Sequence, residues 1–194
     1  TQRRFVSIKL SLPCVILAGG KSSRMGEDKA LLPFGEYATL GEYQYEKMSL
    51  FFENVYISCK SAKKFGAAKL SYIEEDFIEF APILGMINSF EKLGADKVFF
   101  IGVDIPLVSK EVIDRLHKVS LELDKSVRAY SDNMPHNLVS IIDKRAYLGL
   151  KNLVKNGEYK LGLLKKEGLI EDVVFEEIED RKSTRLNSSH RIRS

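Results

Sequence analysis

The chain has 194 residues, 44% hydrophobic and 29% charged, with two cysteines, which is enough to bury one domain's core without a disulfide or a metal. No apolar run nears the roughly 18 residues of a membrane span. The net charge of +3 gives no support to a nucleic-acid partner: Arg181, Lys182, Arg185, Arg191 and Arg193 all lie in the acid-free residues 181–194, and without those five the 30 basic residues fall to 25 against 27 acidic ones, a net of −2.

Residues 1–13 read as an N-terminal extension whose apolar segment is too broken for a secretory signal. Residues 14–18 form a continuous apolar run ending in glycines, which predicts a buried strand. A helix is expected over 40–52, a strand over 55–59 and a short strand over 70–73. Pro82 suits the first position of a helix, and Ile83, Ile87, Phe90 and Leu93 keep helical spacing until Gly94 stops it. Residues 97–103 predict another buried strand. Ser109 then caps a helix whose Val112, Ile113, Leu116 and Val119 share one face. Strands at 127–130 and 138–142, helices at 144–154 and 159–165, and a strand at 173–178 complete a body spanning 14–180, with no internal repeat and no flexible linker. Residues 181–194, rich in Arg and Ser, read as an added or out-of-frame tail, with a basic interaction arm as the rival reading.

This alternation predicts an α/β fold with a mostly parallel sheet and helices on both faces, where ligands sit beyond the carboxyl ends of the strands. Cys14 and Cys59 lie in strand-like runs and are expected to be buried, reduced thiols, which suits a cytoplasmic protein. His117, His136 and His190 make no metal-ligand spacing with them, which argues against zinc.

The segment leaving the first strand, Leu17-Ala18-Gly19-Gly20-Lys21-Ser22-Ser23-Arg24-Met25-Gly26-Glu27-Asp28-Lys29, has the composition of an anion cradle. Its glycines let backbone amides approach a phosphate, Ser22 and Ser23 add hydroxyl donors, and Arg24 and Lys29 add fixed positive charge. A Walker loop is excluded because Val15 stands where its first glycine belongs, and no G-x-G-x-x-G begins at Gly19 or Gly20. A plain glycine-rich turn remains the alternative for the glycines alone. Further on, Asp104 ends the apolar strand Phe99-Phe100-Ile101-Gly102-Val103. There it can hold magnesium, which takes one or two carboxylates plus substrate phosphates, or simply open a turn.

The pattern LAGGxxxRMGxDK at residues 17–29 resembles the signature of the molybdenum cofactor guanylyltransferases, within the wider group of Rossmann-like nucleotidyltransferases. The resemblance runs from residue 14 to about 178, dense in the loop and sparse after 145. It implies transfer of GMP from Mg-GTP to molybdopterin with release of pyrophosphate. Leu17, Ala18 and Gly19 would contact the nucleotide through main chain, Gly20 would favour guanine over cytosine, and Lys29 with Arg24 would carry the catalytic charge. Asp104, in an Asp-x-Pro motif, would be the Mg2+ ligand. Glu74-Glu75-Asp76, followed by Pro82-Ile83-Leu84-Gly85, resembles the family's acidic residue and helix start, and Asp76 is the candidate for guanine or ribose. A solvated acidic run is the other reading of those three residues. Ser58 stands where many relatives carry Asn beside the nucleotide, and His136 where relatives show His-Pro, here followed by Asn137. GTP and molybdopterin are the partners implied, with molybdoenzyme-assembly proteins beyond them.

One departure counts against efficient transfer: the family's Asn-x-Asn-Thr segment has no counterpart, since Glu176-Glu177-Ile178-Glu179-Asp180 runs directly into the basic tail. Two alternatives therefore stand beside the guanylyltransferase reading. One is a nucleotidyltransferase using CTP or a sugar-phosphate acceptor; the other is a non-catalytic protein that binds GTP or cofactor.

Overall fold

The computed structural model describes residues 8–19, 28–66 and 69–179. Seven strands form one sheet: β1 (Cys14–Leu17), β2 (Val55–Cys59), β3 (Tyr72–Glu74), β4 (Lys97–Gly102), β5 (Ser126–Ser131), β6 (Met134–Asp143) and β7 (Ile170–Val174). Their order is β3-β2-β1-β4-β6-β5-β7, with β6 antiparallel to both of its neighbours and every other pairing parallel. Between them run α1 (Leu40–Ser49), α2 (Pro82–Leu93), α3 (Lys110–Leu123), α4 (Lys144–Lys155) and the single turn α5 (Leu163–Lys166).

Period-two alternation in β1 sorts the core into two layers. Cys14 and Ile16 pack with Leu40 and Met48 of α1 and with Val112, Ile113 and Leu116 of α3. Val15 and Leu17 face the other way, against Ile83, Met86, Ile87 and Phe90 of α2 and Ala146, Leu150 and Leu153 of α4. The helix starts follow from side-chain caps: Thr39 accepts from Glu42 N at 3.0 Å, Ser109 from Val112 N, and Asp143 from Ala146 N at 2.9 Å. Gly94 closes α2 at φ 59°, a left-handed position suited to glycine. Cys14 and Cys59 are free and buried, and burial pushes the Cys59 thiol up to about 11. Among the described residues no helix is long and apolar enough to cross a membrane.

Several boundaries differ from the sequence-based expectation; β6, expected over 138–142, already begins at Met134, where it pairs with Ser131 of β5. The first helix stops at Ser49, three residues early, because Leu50, Phe51 and Phe52 turn off it through bonds to the Lys47 and Met48 carbonyls. The short strand begins at Tyr72 and reaches Glu74, placed by its pairing with β2. The helix expected over 159–165 is only Leu163–Lys166. The last strand lies at Ile170–Val174 rather than 173–178. Its acids Glu171 and Asp172 look unlike a strand interior, but Lys125 and Lys165 pair with Glu171, and buried Arg128 donates to Asp172 at 2.6 Å. Apolar patterning misses a strand whose side chains are neutralised by partners far away in sequence.

Hydrogen bonds from Lys125 and Lys165 hold the Glu171 carboxyl at about 2, below its usual 4.5. A depressed carboxyl contributes stability above its unfolded pKa and loses it as pH falls through the folded one. Glu171→Gln is therefore expected to flatten the acid limb of stability between about pH 4.5 and 2, read by denaturant midpoints across that window. The partial exposure of the site keeps this effect small.

Candidate active site

The chain leaves β1 to build β2 on one side, then returns through α2 to place β4 on the other side of β1. This reversal opens a crevice at the carboxyl ends of β1 and β4. Antiparallel β6 must enter the sheet from that same edge, which brings Leu138 to it. The result is a cavity of about 250 Å³, whose wall includes Leu17, Ala18, Gly19, Asp28, Lys29, Glu75, Pro82 and Asp104.

Several expected residues therefore share one cavity: Leu17, Ala18, Gly19, Lys29 and Asp104. Gly20, Ser22, Ser23 and Arg24 lie outside the described residues. Asp28 caps the short turn Lys29–Leu31 by accepting from Ala30 N at 3.0 Å, and Lys64 pairs with its second oxygen at 2.6 Å. That cap fixes the backbone from which Lys29 projects. Lys29 and Asp104 are both exposed, and neither side chain has a hydrogen bond or ion pair to another described residue. Cation and carboxylate are thus available to a ligand.

Helix α1 holds the loop that carries Asp104. Gln44 Nε2 donates to the Ile105 carbonyl at 3.3 Å, and Lys47 Nζ donates to the Pro106 and Val108 carbonyls, each at 2.7 Å. No local sequence signal marks these contacts, which span 59 to 61 residues.

The acidic run resolves by strand geometry. Ile73 is core, and two residues on Glu75 stays on the same face, its amide still bonded to the Cys59 carbonyl at 2.9 Å. Glu75 is the acid in the cavity wall, with a side chain only 5% exposed. Asp76 falls on the opposite parity, is 72% exposed and pairs with Lys92 at 3.2 Å; it does not line the cavity. Counting by twos from Ile73 would have found Glu75 in the sequence.

Glu75 is tightly seated. Ser58 donates to its Oε1 at 3.0 Å, so the Ser58 hydroxyl engages the carboxylate. Lys60 pairs with its Oε2 at 2.9 Å. A Cβ added to Gly19 would lie 2.4 Å from Oε1, and one added to Gly85 would lie 2.9 Å away. A side chain at either position would have to displace the carboxylate from its present place. His136, by contrast, hydrogen-bonds Ser131 at 2.8 Å and does not line the cavity, and Asn137 accepts from Arg128.

The MobA-like NTP transferase domain matches residues 14–168 of this chain. A molybdenum cofactor guanylyltransferase of Helicobacter pylori (strain P12) is 37% identical over 161 residues, covering 80% of this chain and 78% of the relative. A probable molybdenum cofactor guanylyltransferase of Aquifex aeolicus is 30% identical over 166 residues, covering 86% and 78%. In fold, the chain is similar to the crystal structure of molybdopterin-guanine dinucleotide biosynthesis protein A from Archaeoglobus fulgidus, with a TM-score of 0.72 at 18% identity over 93% of this chain and 99% of that one. A strand-reversal crevice walled by a lysine and an aspartate that have no partner among the described residues, on a chain matched over most of its length, leads to one assignment: this protein is a nucleotidyltransferase and belongs to the MobA-like NTP transferase family.

Proposed function

We propose that the protein transfers GMP from Mg-GTP to molybdopterin, forming the guanine dinucleotide cofactor and releasing pyrophosphate. The observation that carries the nucleotide choice is the buried Glu75 carboxylate, enclosed by Gly19, Gly85, Ser58 and Lys60 in the wall of the cavity that also holds Lys29 and Asp104. A carboxylate is an acceptor with two oxygens. Guanine offers two adjacent donors, its ring N1–H and its exocyclic amine. Adenine and cytosine each set an acceptor beside the amine, so a carboxylate meets them with one repulsion. The base-reading role first given to Asp76 passes on this argument to Glu75, with Ser58 steadying it.

Lys29 and, from the loop outside the described residues, Arg24 would bear charge on the triphosphate, with the Leu17-Ala18-Gly19 backbone and Gly20, Ser22 and Ser23 completing the cradle. Asp104 fits a hard divalent cation, since it is an exposed carboxylate in the cavity wall with no described partner. When bound, Mg2+ would neutralise phosphate charge. The residues of the chain position the α-phosphorus for in-line attack by the terminal phosphate of the acceptor, which needs no covalent enzyme intermediate.

The deciding experiment is pyrophosphate release from GTP, CTP and ATP with magnesium, with and without molybdopterin. Release that requires both GTP and acceptor is expected. A CTP preference would overturn the guanine reading, and GTP binding without release would leave a binding protein. Glu75→Gln replaces one acceptor oxygen by a donor and is expected to lower kcat/KM for GTP roughly a hundredfold, with a smaller effect on ATP. An equal loss for all nucleotides would remove Glu75 from base recognition.

A further inference from the structure

Lys60 follows β2 and is, among the described residues, the cation paired with the base-reading carboxylate, yet it does not line the cavity. Its ammonium donates to the Phe77 and Glu79 carbonyls, each at 2.6 Å, and forms an ion pair with Glu75 Oε2 at 2.9 Å. It also lies 5.2 Å from the centre of the Phe80 ring. With two donors committed to carbonyls, its charge paired with Glu75 and a side chain only 21% exposed, Lys60 is engaged within the chain rather than turned to a phosphate.

The geometry points to Lys60 as the positioning residue that sets nucleotide specificity, acting through Glu75 and the 77–80 loop. This rests on the proposal that Glu75 reads the guanine edge. Glu75 needs one orientation to meet two donors side by side. Ser58 fixes Oε1, and Lys60 fixes Oε2. Lys60 also supplies the countercharge without which a carboxylate so little exposed would have to find another partner or turn away. By gripping two carbonyls of residues 77–79, the same ammonium ties β2 to the segment leading to Ala81 and Pro82, both in the cavity wall. Carboxylate orientation and wall position therefore depend on one side chain. Lys92, the other lysine at this loop, serves the Glu74 carbonyl and exposed Asp76 and leaves the cavity untouched.

The test is equilibrium binding of Mg-GTP, Mg-ITP and Mg-ATP to the full chain and to Lys60→Met, Glu75→Gln and the double variant. Inosine lacks the exocyclic amine, so the GTP-to-ITP ratio isolates one of the two proposed contacts. Each ratio is taken on one preparation, which makes it insensitive to the fraction of protein that is folded. The parent is expected to favour GTP over ITP by about tenfold or more. Lys60→Met should bring that ratio to within about threefold of unity and weaken ATP binding less than GTP binding. Adding Lys60→Met to Glu75→Gln should then change the ratio no further. Equal weakening of all three nucleotides would make Lys60 a merely structural residue and overturn the inference, as would an unchanged ratio. A parent with no GTP preference, or a Glu75→Gln variant that keeps it, would overturn the reading of Glu75 and this inference with it.

Discussion

Lys29→Ala is expected to slow pyrophosphate release from GTP by roughly a hundredfold to a thousandfold, the usual cost of removing one preorganised donor from a developing charge. Its melting temperature should stay within about a degree of the parent. The two expectations separate because Lys29 is exposed and its side chain has no described partner, so no contact with a described residue is lost with it. The turn that carries it is held by neighbouring groups: Asp28 caps Ala30, Lys64 holds Asp28, and buried Ala30 anchors the backbone. Steady-state rates together with a thermal melt decide the matter. Parallel losses of activity and stability would make Lys29 a structural residue.

Asp104→Asn is expected to raise the magnesium concentration needed for half-maximal rate at least tenfold, and to lower the rate at saturating magnesium as well. Asparagine keeps the size of the side chain and one carbonyl oxygen but loses the charge that holds a hard cation. The loop should survive the change, since it is held through its backbone by Gln44 and Lys47 rather than by the Asp104 side chain. A magnesium titration of both proteins at fixed GTP measures the effect. An unchanged titration curve would remove Asp104 from the metal site and leave it as the opening residue of a turn.

The two variants probe opposite charges in one cavity, and the places of these residues in its wall were legible in the sequence to different degrees. Lys29 was marked by its place in the glycine-rich segment leaving β1, because a phosphate cradle is a local object whose parts lie in one loop. Asp104 was marked by its place at the end of an apolar strand, which the parallel-sheet rule makes a ligand edge. Both are short-range signals.

Glu75 shows where such signals stop. Three consecutive acids look equivalent as composition; period-two parity from Ile73 separates Glu75 from Asp76 once the extended chain is known to run past residue 73, which the pairing of β3 with β2 establishes. The glycines at 19 and 85 mark the same carboxylate from two other segments. Neither glycine indicates by itself which acid it accommodates.

From the sequence alone came the order of strands and helices, the caps at Ser109 and Gly94, the two-faced core and the glycine-rich loop. Each is governed by residues within a few positions of one another, where periodicity, φ preference and capping act. The tertiary structure decided that β6 runs antiparallel and brings Leu138 to the cavity, that β7 begins at Ile170 behind neutralised acids, and that Lys60, Lys64, Gln44 and Lys47 brace the site from a distance. Those outcomes depend on ion pairs and hydrogen bonds between segments far apart in the chain. Their free energy exists only once the sheet has brought the partners together.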